Sequence, residues 1–214
     1  MNDIKEEQRV IGADLRPAGK REKTKATNRE AILTAAREVF ADLGYGATTV
    51  RDIIRRTGLA SGTFYNYFKS KEEVFEALID DSAQRIRPRL LAERIRSRTF
   101  NEFIRNAYRT YFDYLMHDRT TYEVMRRNTG ALRVRMETPE VQASFEQIRQ
   151  YLEEDVASGA LPKVDVEYLT AAAVGIATEI GDRMIMRPTA SADEAAEFAA
   201  NLFMNGLSAL PRKE

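Results

Sequence analysis

Cysteine and tryptophan are absent from the 214 residues, and histidine occurs once. Without cysteine there is no disulfide framework, no thiolate metal site and no cysteine nucleophile. The lone histidine, His117, falls at the end of an expected helix, where a cation suits the helix dipole. It has no second His or Cys beside it and no flanking acidic pattern, so neither a metal site nor a catalytic role is expected of it. No apolar run approaches the roughly 18 residues needed to span a bilayer, so no membrane association is expected. The stretch MNDIKEEQRVIGADLRPAGKREK is polar and lacks the apolar segment of a secretory signal, which makes a cytoplasmic location the expectation. Nucleophile elbow, P-loop, dinucleotide fingerprint and metal-ligand spacing are all missing. An enzyme and a bound cofactor are therefore not expected.

What is present is a chain rich enough in apolar residues, at 43 %, to bury a substantial core. Its length suits one large helical domain or two small ones. The net charge of zero hides a split. Residues 15–71 hold 12 Lys/Arg against 5 Asp/Glu, a net of +7, whereas residues 139–214 hold 6 against 13, a net of −7. A polyanion-binding head and a body that need not touch nucleic acid would carry charge this way; an uneven solvated surface is the plainer alternative.

Helical periodicity runs from about residue 25 to the C-terminus, with no convincing period of two. Residues 1–24 mix charge with Gly12, Pro17 and Gly19 and read as a flexible basic arm. The first helix is expected over 27–43, with Ile32, Leu33, Ala36, Val39, Phe40 and Leu43 on one face, ending at Gly44 and Gly46. Later helices announce their starts with a Ser or Thr facing an acid three residues on: Thr49/Asp52, Ser70/Glu73, Thr99/Glu102, Thr120/Glu123 and Ser191/Glu194. Thr138 before Pro139 adds a cap with proline at the first helical position, and Gly159 ahead of Pro162 reads as a stop. The pattern predicts an all-α chain of about nine helices, over 27–43, 50–57, 61–67, 71–95, 100–117, 120–129, 139–158, 165–187 and 192–209.

Residues 48–77 pack two short helices and a tight turn into a small space, which is the layout of a helix-turn-helix DNA reader. Val50, Ile53 and Ile54 supply the buried side of the first short helix, Gly58 the turn, and Leu59 the plug between helices. Ser61 is expected to cap the second, with Phe64 and Phe68 facing inward. Thr63, Tyr65, Asn66 and Tyr67 are left outward, beside the slim edge of Ser61 and Gly62. Asn bonds adenine, Thr reaches base edges and Tyr hydroxyls reach phosphates, so this edge suits a groove. Thr49, Arg51 and Lys71 sit at helix starts, where phosphate is favoured. The alternative is that Tyr65 and Tyr67 complete a small core.

The run GLASGTFYNYFKSKEEVFEAL resembles the signature of the TetR family of transcriptional regulators, matched at Gly58, Leu59, Gly62, Thr63, Tyr65, Tyr67, Phe68, Ser70, Lys71 and Glu72. The preceding ILTAAREVFADLGYGATTVRDII is similar to the family's first helix and its loop. The likeness is strong over residues 27–80 and one of layout beyond residue 90. It implies a three-helix DNA-binding domain over 25–72 and a helical ligand-binding and dimerisation domain over 73–214. It further implies a homodimer on a palindromic double-stranded operator and modulation by a small-molecule effector. Lys20, Arg21, Lys23 and Lys25 of the arm then add backbone or minor-groove contacts, or remain a solvated tail.

Small residues mark two late helices: Ala171, Ala172, Ala173, Gly175, Ala177 and Gly181 in one, Ala195, Ala196, Ala199, Ala200 and Gly206 in the other. With Phe198, Leu202, Phe203 and Leu207 they suit a four-helix dimer interface, or packing within one chain. Its expected members are Ala172, Gly175, Phe198, Leu202 and Phe203. Between head and interface, Phe103, Tyr108, Tyr111, Phe112, Tyr122, Met125, Phe145, Ile148 and Leu152 form a set that in the family lines an effector cavity; plain core is the other reading. Buried charge is expensive, so Arg126, Arg127, Glu179, Asp182 and Arg183 stand out. Glu179 and Arg183, four apart, suit a mutual pair. Arg126 in the cavity would favour an acyl chain with an anionic head; Glu179 or Asp182 there would favour a cationic ligand. Expected effector contacts are Phe103, Tyr111, Tyr122, Met125, Arg126, Phe145, Glu179 and Asp182. A body that recruits a protein partner is the competing reading.

Overall fold

Helix formation begins at Gly19 in the computed structural model, which describes residues 19–119, Tyr122 and residues 138–210. Helix α1 runs Lys20–Leu43, starting well before the expected residue 27. The residues between Gly19 and Thr27 include no breaker, and Lys, Arg and Glu propagate helix well. The Gly19 N–H donates to the Glu22 carboxylate at 3.2 Å, which steadies the first turn. This extension faces solvent, so it lacks the apolar periodicity that marks the rest. Of the expected arm, residues 1–18 lie outside the described residues and the remainder is helical.

The chain continues through α2 (Val50–Thr57), α3 (Ser61–Tyr65), α4 (Lys71–Arg96) and α5 (Phe100–His117). After a gap come α6 (Pro139–Ala157), α7 (Val166–Ile185) and α8 (Ala192–Ser208). The described residues are all-helical, with no strand among them. The helix expected over 120–129, with its Thr120/Glu123 cap, lies outside them apart from Tyr122. No described helix is long and apolar enough to cross a membrane.

Local hydrogen bonds explain where the helices start. The Asp52, Glu73, Glu102 and Glu194 N–H groups donate to the hydroxyls of Thr49, Ser70, Thr99 and Ser191 at 3.2–3.3 Å. Asp165, not singled out in the sequence, does the same for α7 through the Tyr168 N–H. Ser61 departs from expectation: Ala60 is the N-cap of α3, no side chain caps that helix, and Ser61 is its first helical residue. Between α2 and α3 the chain turns at Gly58, whose φ of 68° lies in the left-handed region. A methyl group there would meet nothing within 4 Å, so the cost of Gly58→Ala is purely a backbone cost of about 1–2 kcal/mol. A urea melt is expected to register that loss.

Two apolar clusters share α4. The head cluster gathers Ile32, Leu33 and Phe40 of α1, Ile53 of α2, Phe64 and Phe68, and Val74, Phe75, Leu78 and Ile79 of α4. Leu43, expected on the same face, is 52 % exposed because the helix ends at Gly44 just as that face leaves the core. The body cluster is built from the far half of α4, α5, Leu152 of α6, α7 and α8. Ala196, Ala199 and Ala200 of α8 are buried in it, and α5 and α8 form its most extensive helix pair. Phe203 packs there edge-on against Tyr108 and tilted against Phe100, at 6.4 Å between centroids in each case. At 4 % exposure it belongs to the core and not to an outer interface, which corrects its expected place. On α8 both faces are apolar, so periodicity alone had no way to choose between them. An Arg37–Asp81 ion pair at 2.5 Å ties α1 to α4, and Asp81 also meets Arg85 at 2.9 Å.

Candidate nucleic-acid interface and ligand cavity

Phe64 and Phe68 anchor the short helix α3 in the head, with ring centroids 6.1 Å apart. Four-residue spacing on a helix puts two side chains on one face, so the opposite edge is left outward. Ser61, Gly62 and Asn66 are exposed, and Tyr65 is 57 % exposed, braced edge-on by Phe64 at 5.4 Å. Thr63 is half-buried. Tyr67, past the end of the helix, is half-buried and packs against the head core. The structure therefore leaves four of the six α3-region residues expected to face outward exposed, Ser61, Gly62, Tyr65 and Asn66, and turns Thr63 and Tyr67 partly inward.

At the start of α2, Thr49 forms a reciprocal cap with Asp52, its N–H donating to the carboxylate at 3.0 Å. Hydrogen bonds from Thr49 hold the Asp52 carboxyl below its ordinary pKa. Arg51 is exposed beside it. Lys71 is committed elsewhere. Its ammonium donates to the carbonyls of Tyr45, Thr48 and Gly46 at 2.8, 2.9 and 3.4 Å and lies 4.6 Å over the Tyr45 ring. It organises the loop that leads into α2. Burial, reinforced by the hydrogen bond to Glu72, pushes the Tyr45 hydroxyl up to about 12. Arg29, which the sequence gave no reason to single out, is exposed on α1 and lies 5.7 Å over the Phe68 ring, beside the α3–α4 turn.

The body encloses a cavity of about 230 Å³ between α4, α5, α6 and α7. Phe103, Tyr111, Tyr122 and Phe145, all expected to meet an effector, line it, together with Ile148 and Tyr151. Met125 and Arg126 lie outside the described residues. Glu179 and Asp182 do not line it, contrary to expectation. Helix α7 turns Ala173, Val174, Ala177 and Thr178 toward the space; the phase of the helix carries Glu179 to solvent and Asp182 one turn past the end. Glu179 and Arg183 form no ion pair among the described residues. Arg87 of α4, missed by sequence reading, lines the cavity instead. Nothing local distinguishes it in RIRPRLLAERIR; only packing does.

Asp182 is half-buried, and one carboxylate oxygen has no hydrogen-bond partner. Burial raises its pKa, opposed by the nearby Arg183. A folded-state pKa above the unfolded one means ionisation weakens the fold as pH rises through it. Asp182→Asn keeps the shape without the charge. It is expected to raise the melting temperature near neutral pH and to change it little in acid, where the carboxyl is already protonated.

On the outer surface of α7 and α8, Tyr168, Phe198 and Leu202 are 76, 63 and 51 % exposed, next to exposed Ala172 and half-buried Gly175. Phe198 and Leu202 are four apart and share a face.

A buried three-helix head with a slim polar edge on its third helix defines a helix-turn-helix DNA-binding domain. Residues 32–78 match the family model of bacterial regulatory proteins, tetR family. That match covers the three-helix head and the start of α4. The chain is 46 % identical over 56 residues to the HTH-type transcriptional repressor KstR2 of Mycolicibacterium smegmatis, a match that covers 26 % of this chain and 27 % of the repressor. It is 30 % identical over 124 residues to the HTH-type transcriptional activator FasR of the same organism, covering 54 % of each. The chain thus spans about a quarter and about half of these curated relatives. In fold, 85 % of the chain matches 99 % of the transcriptional regulator FadR from Bacillus subtilis in complex with stearoyl-CoA, at a TM-score of 0.72 and 22 % identity.

Proposed function

We propose that the protein is a cytoplasmic transcriptional repressor that binds a palindromic operator as a homodimer and is released by an amphiphile with an apolar chain. The observation that carries the DNA reading is the outward edge of α3, where Ser61, Gly62, Tyr65 and Asn66 stand clear of a head core closed beneath them. Small residues at the leading end let the helix sit deep in a major groove, and Asn66 and Tyr65 offer donors and acceptors to bases and phosphates. Arg51 and Arg29, exposed on α2 and α1, suit the flanking backbone. The exposed Phe198 and Leu202 face supports pairing of two copies through α7 and α8. Two-fold symmetry then calls for half-sites about 34–36 Å apart. The cavity supports an effector that is mostly apolar, as does the stearoyl-CoA bound in a protein of the same fold. The reading assigns the protein no catalytic step.

Selection of binding sites from a random duplex pool tests the proposal. The expected product is a family of palindromes with half-sites one helical turn apart, whose affinity falls when acyl-CoA is added. A pool that enriches no sequence, or one without dyad symmetry, overturns it.

A further inference from the structure

Among the described residues that line the body cavity, Arg87 is the one that carries a charge. Its side chain is 34 % exposed, so it stands at the rim of walls that are otherwise aliphatic, aromatic or uncharged. Among the described residues it makes a single polar contact, 2.9 Å to one carboxylate oxygen of Glu140. Most of its N–H donors therefore remain available. Glu140 is held on its other oxygen by Gln84 at 3.0 Å, and its backbone N–H donates to Asp80 at 3.2 Å. These contacts pin the first turn of α6 to α4. Beside them, Ile79 and Val141 both line the cavity, and both also pack in or against the head core.

A cavity with mostly apolar walls and the Arg87 cation at its rim favours a particular kind of occupant. The chain of an amphiphile gains by leaving water, and an oxyanion at its end gains charge-assisted hydrogen bonds from a planar guanidinium. A neutral end gains a weaker hydrogen bond and no ion pairing, and a cationic end is repelled. We propose that Arg87 recognises the oxyanion end of an acyl ligand, and that Glu140 is the internal anion with which that ligand competes. The inference rests on the reading of the cavity as an effector site and supplies its polar end. When the ligand draws Arg87 away, α6 loses one of the three polar contacts described between Glu140 and α4. The loss falls next to Ile79 and Val141, the two side chains shared by cavity and head. The oxyanion has two chemical sources, the carboxylate of a free acid and the phosphates of a coenzyme A thioester.

Calorimetric titration of the full chain with laurate, lauroyl-CoA and methyl laurate separates these cases. Arg87→Met is expected to weaken the anionic probe at least about tenfold and methyl laurate hardly at all. Glu140→Gln removes the competitor and is expected to tighten the same probe severalfold. Both variants abolish the Arg87–Glu140 ion pair, so a purely structural role would move affinity in the same direction in both; opposite signs support recognition. Whichever of laurate and lauroyl-CoA depends on Arg87 names the source. Equal affinity of the unaltered protein for the anions and the methyl ester overturns the inference, as do equal shifts in the two variants. Failure of all three probes to bind the unaltered protein would remove the effector reading beneath it as well, and is recognisable as such.

Discussion

Asn66→Ala is expected to weaken specific operator binding by about a hundredfold or more on the proposed docking. A bidentate contact to one base is worth about 1–3 kcal/mol. In a two-fold complex each substitution occurs at both half-sites and its cost is counted twice. Tyr65→Ala, removing a side chain that is 57 % exposed, is expected to add to the loss, and Tyr65→Phe would show how much belongs to the hydroxyl. Both positions lie outside the head core, so the folded state should change by no more than about 0.5 kcal/mol. Arg51→Ala offers a contrast. A phosphate contact carries no sequence information, so its loss should weaken all duplexes alike and flatten the salt dependence. Gel-shift titration of a selected site and a scrambled one, at two salt concentrations, distinguishes the two behaviours. Unchanged specificity in Asn66→Ala would remove α3 from the groove.

The parts of this molecule that could be read from its sequence are those decided by neighbours in the chain. Helices α2, α4, α5 and α8 start where a hydroxyl faces an acid three residues on, because the capping bond is local. The outward edge of α3 was equally legible, since Phe64 and Phe68 four residues apart fix which side faces in. What stayed hidden was decided by tertiary packing. Lys71 looked like a phosphate contact from its place at a helix start. Its three carbonyl partners come from a loop more than twenty residues upstream, which no local pattern announces. Phe203 and Phe198 share an Ala-rich helix with two apolar sides, yet one is core and the other surface. Arg87 is one of many arginines on a long helix, distinguished only by the wall it joins. The first turns of α1 erred the other way: a solvent-facing helix of charged residues has no apolar stripe to reveal it.

Asp155→Ala is expected to destabilise the body by about 2–4 kcal/mol, with loss of the cavity's shape. Asp155 is 8 % exposed and accepts two hydrogen bonds at 2.7 Å from the two terminal nitrogens of Arg94, joining α6 to α4. Those hydrogen bonds hold the Arg94 guanidinium above its ordinary pKa; without them it still stays charged, because a guanidinium's own pKa lies far above neutral. The same guanidinium lies 5.3 Å from the ring centroids of both Phe103 and Tyr151. These two rings line the cavity. Removing Asp155 leaves a largely buried cation beside aromatic rings, with Glu154 at 3.9 Å as its remaining carboxylate, so much of the desolvation cost is no longer offset. The cost stays below that of a fully buried pair because 21 % of the Arg94 side chain reaches solvent. Asp155→Asn, which keeps one acceptor, should fall between. The double variant Arg94→Met with Asp155→Leu should recover most of the loss, because the unpaired charge is gone. Thermal melts of the three variants read these differences directly. An Asp155→Ala protein within about 0.5 kcal/mol of the unaltered chain would mean that packing of Phe103 and Tyr151, and not the ion pair, holds α6 against α4.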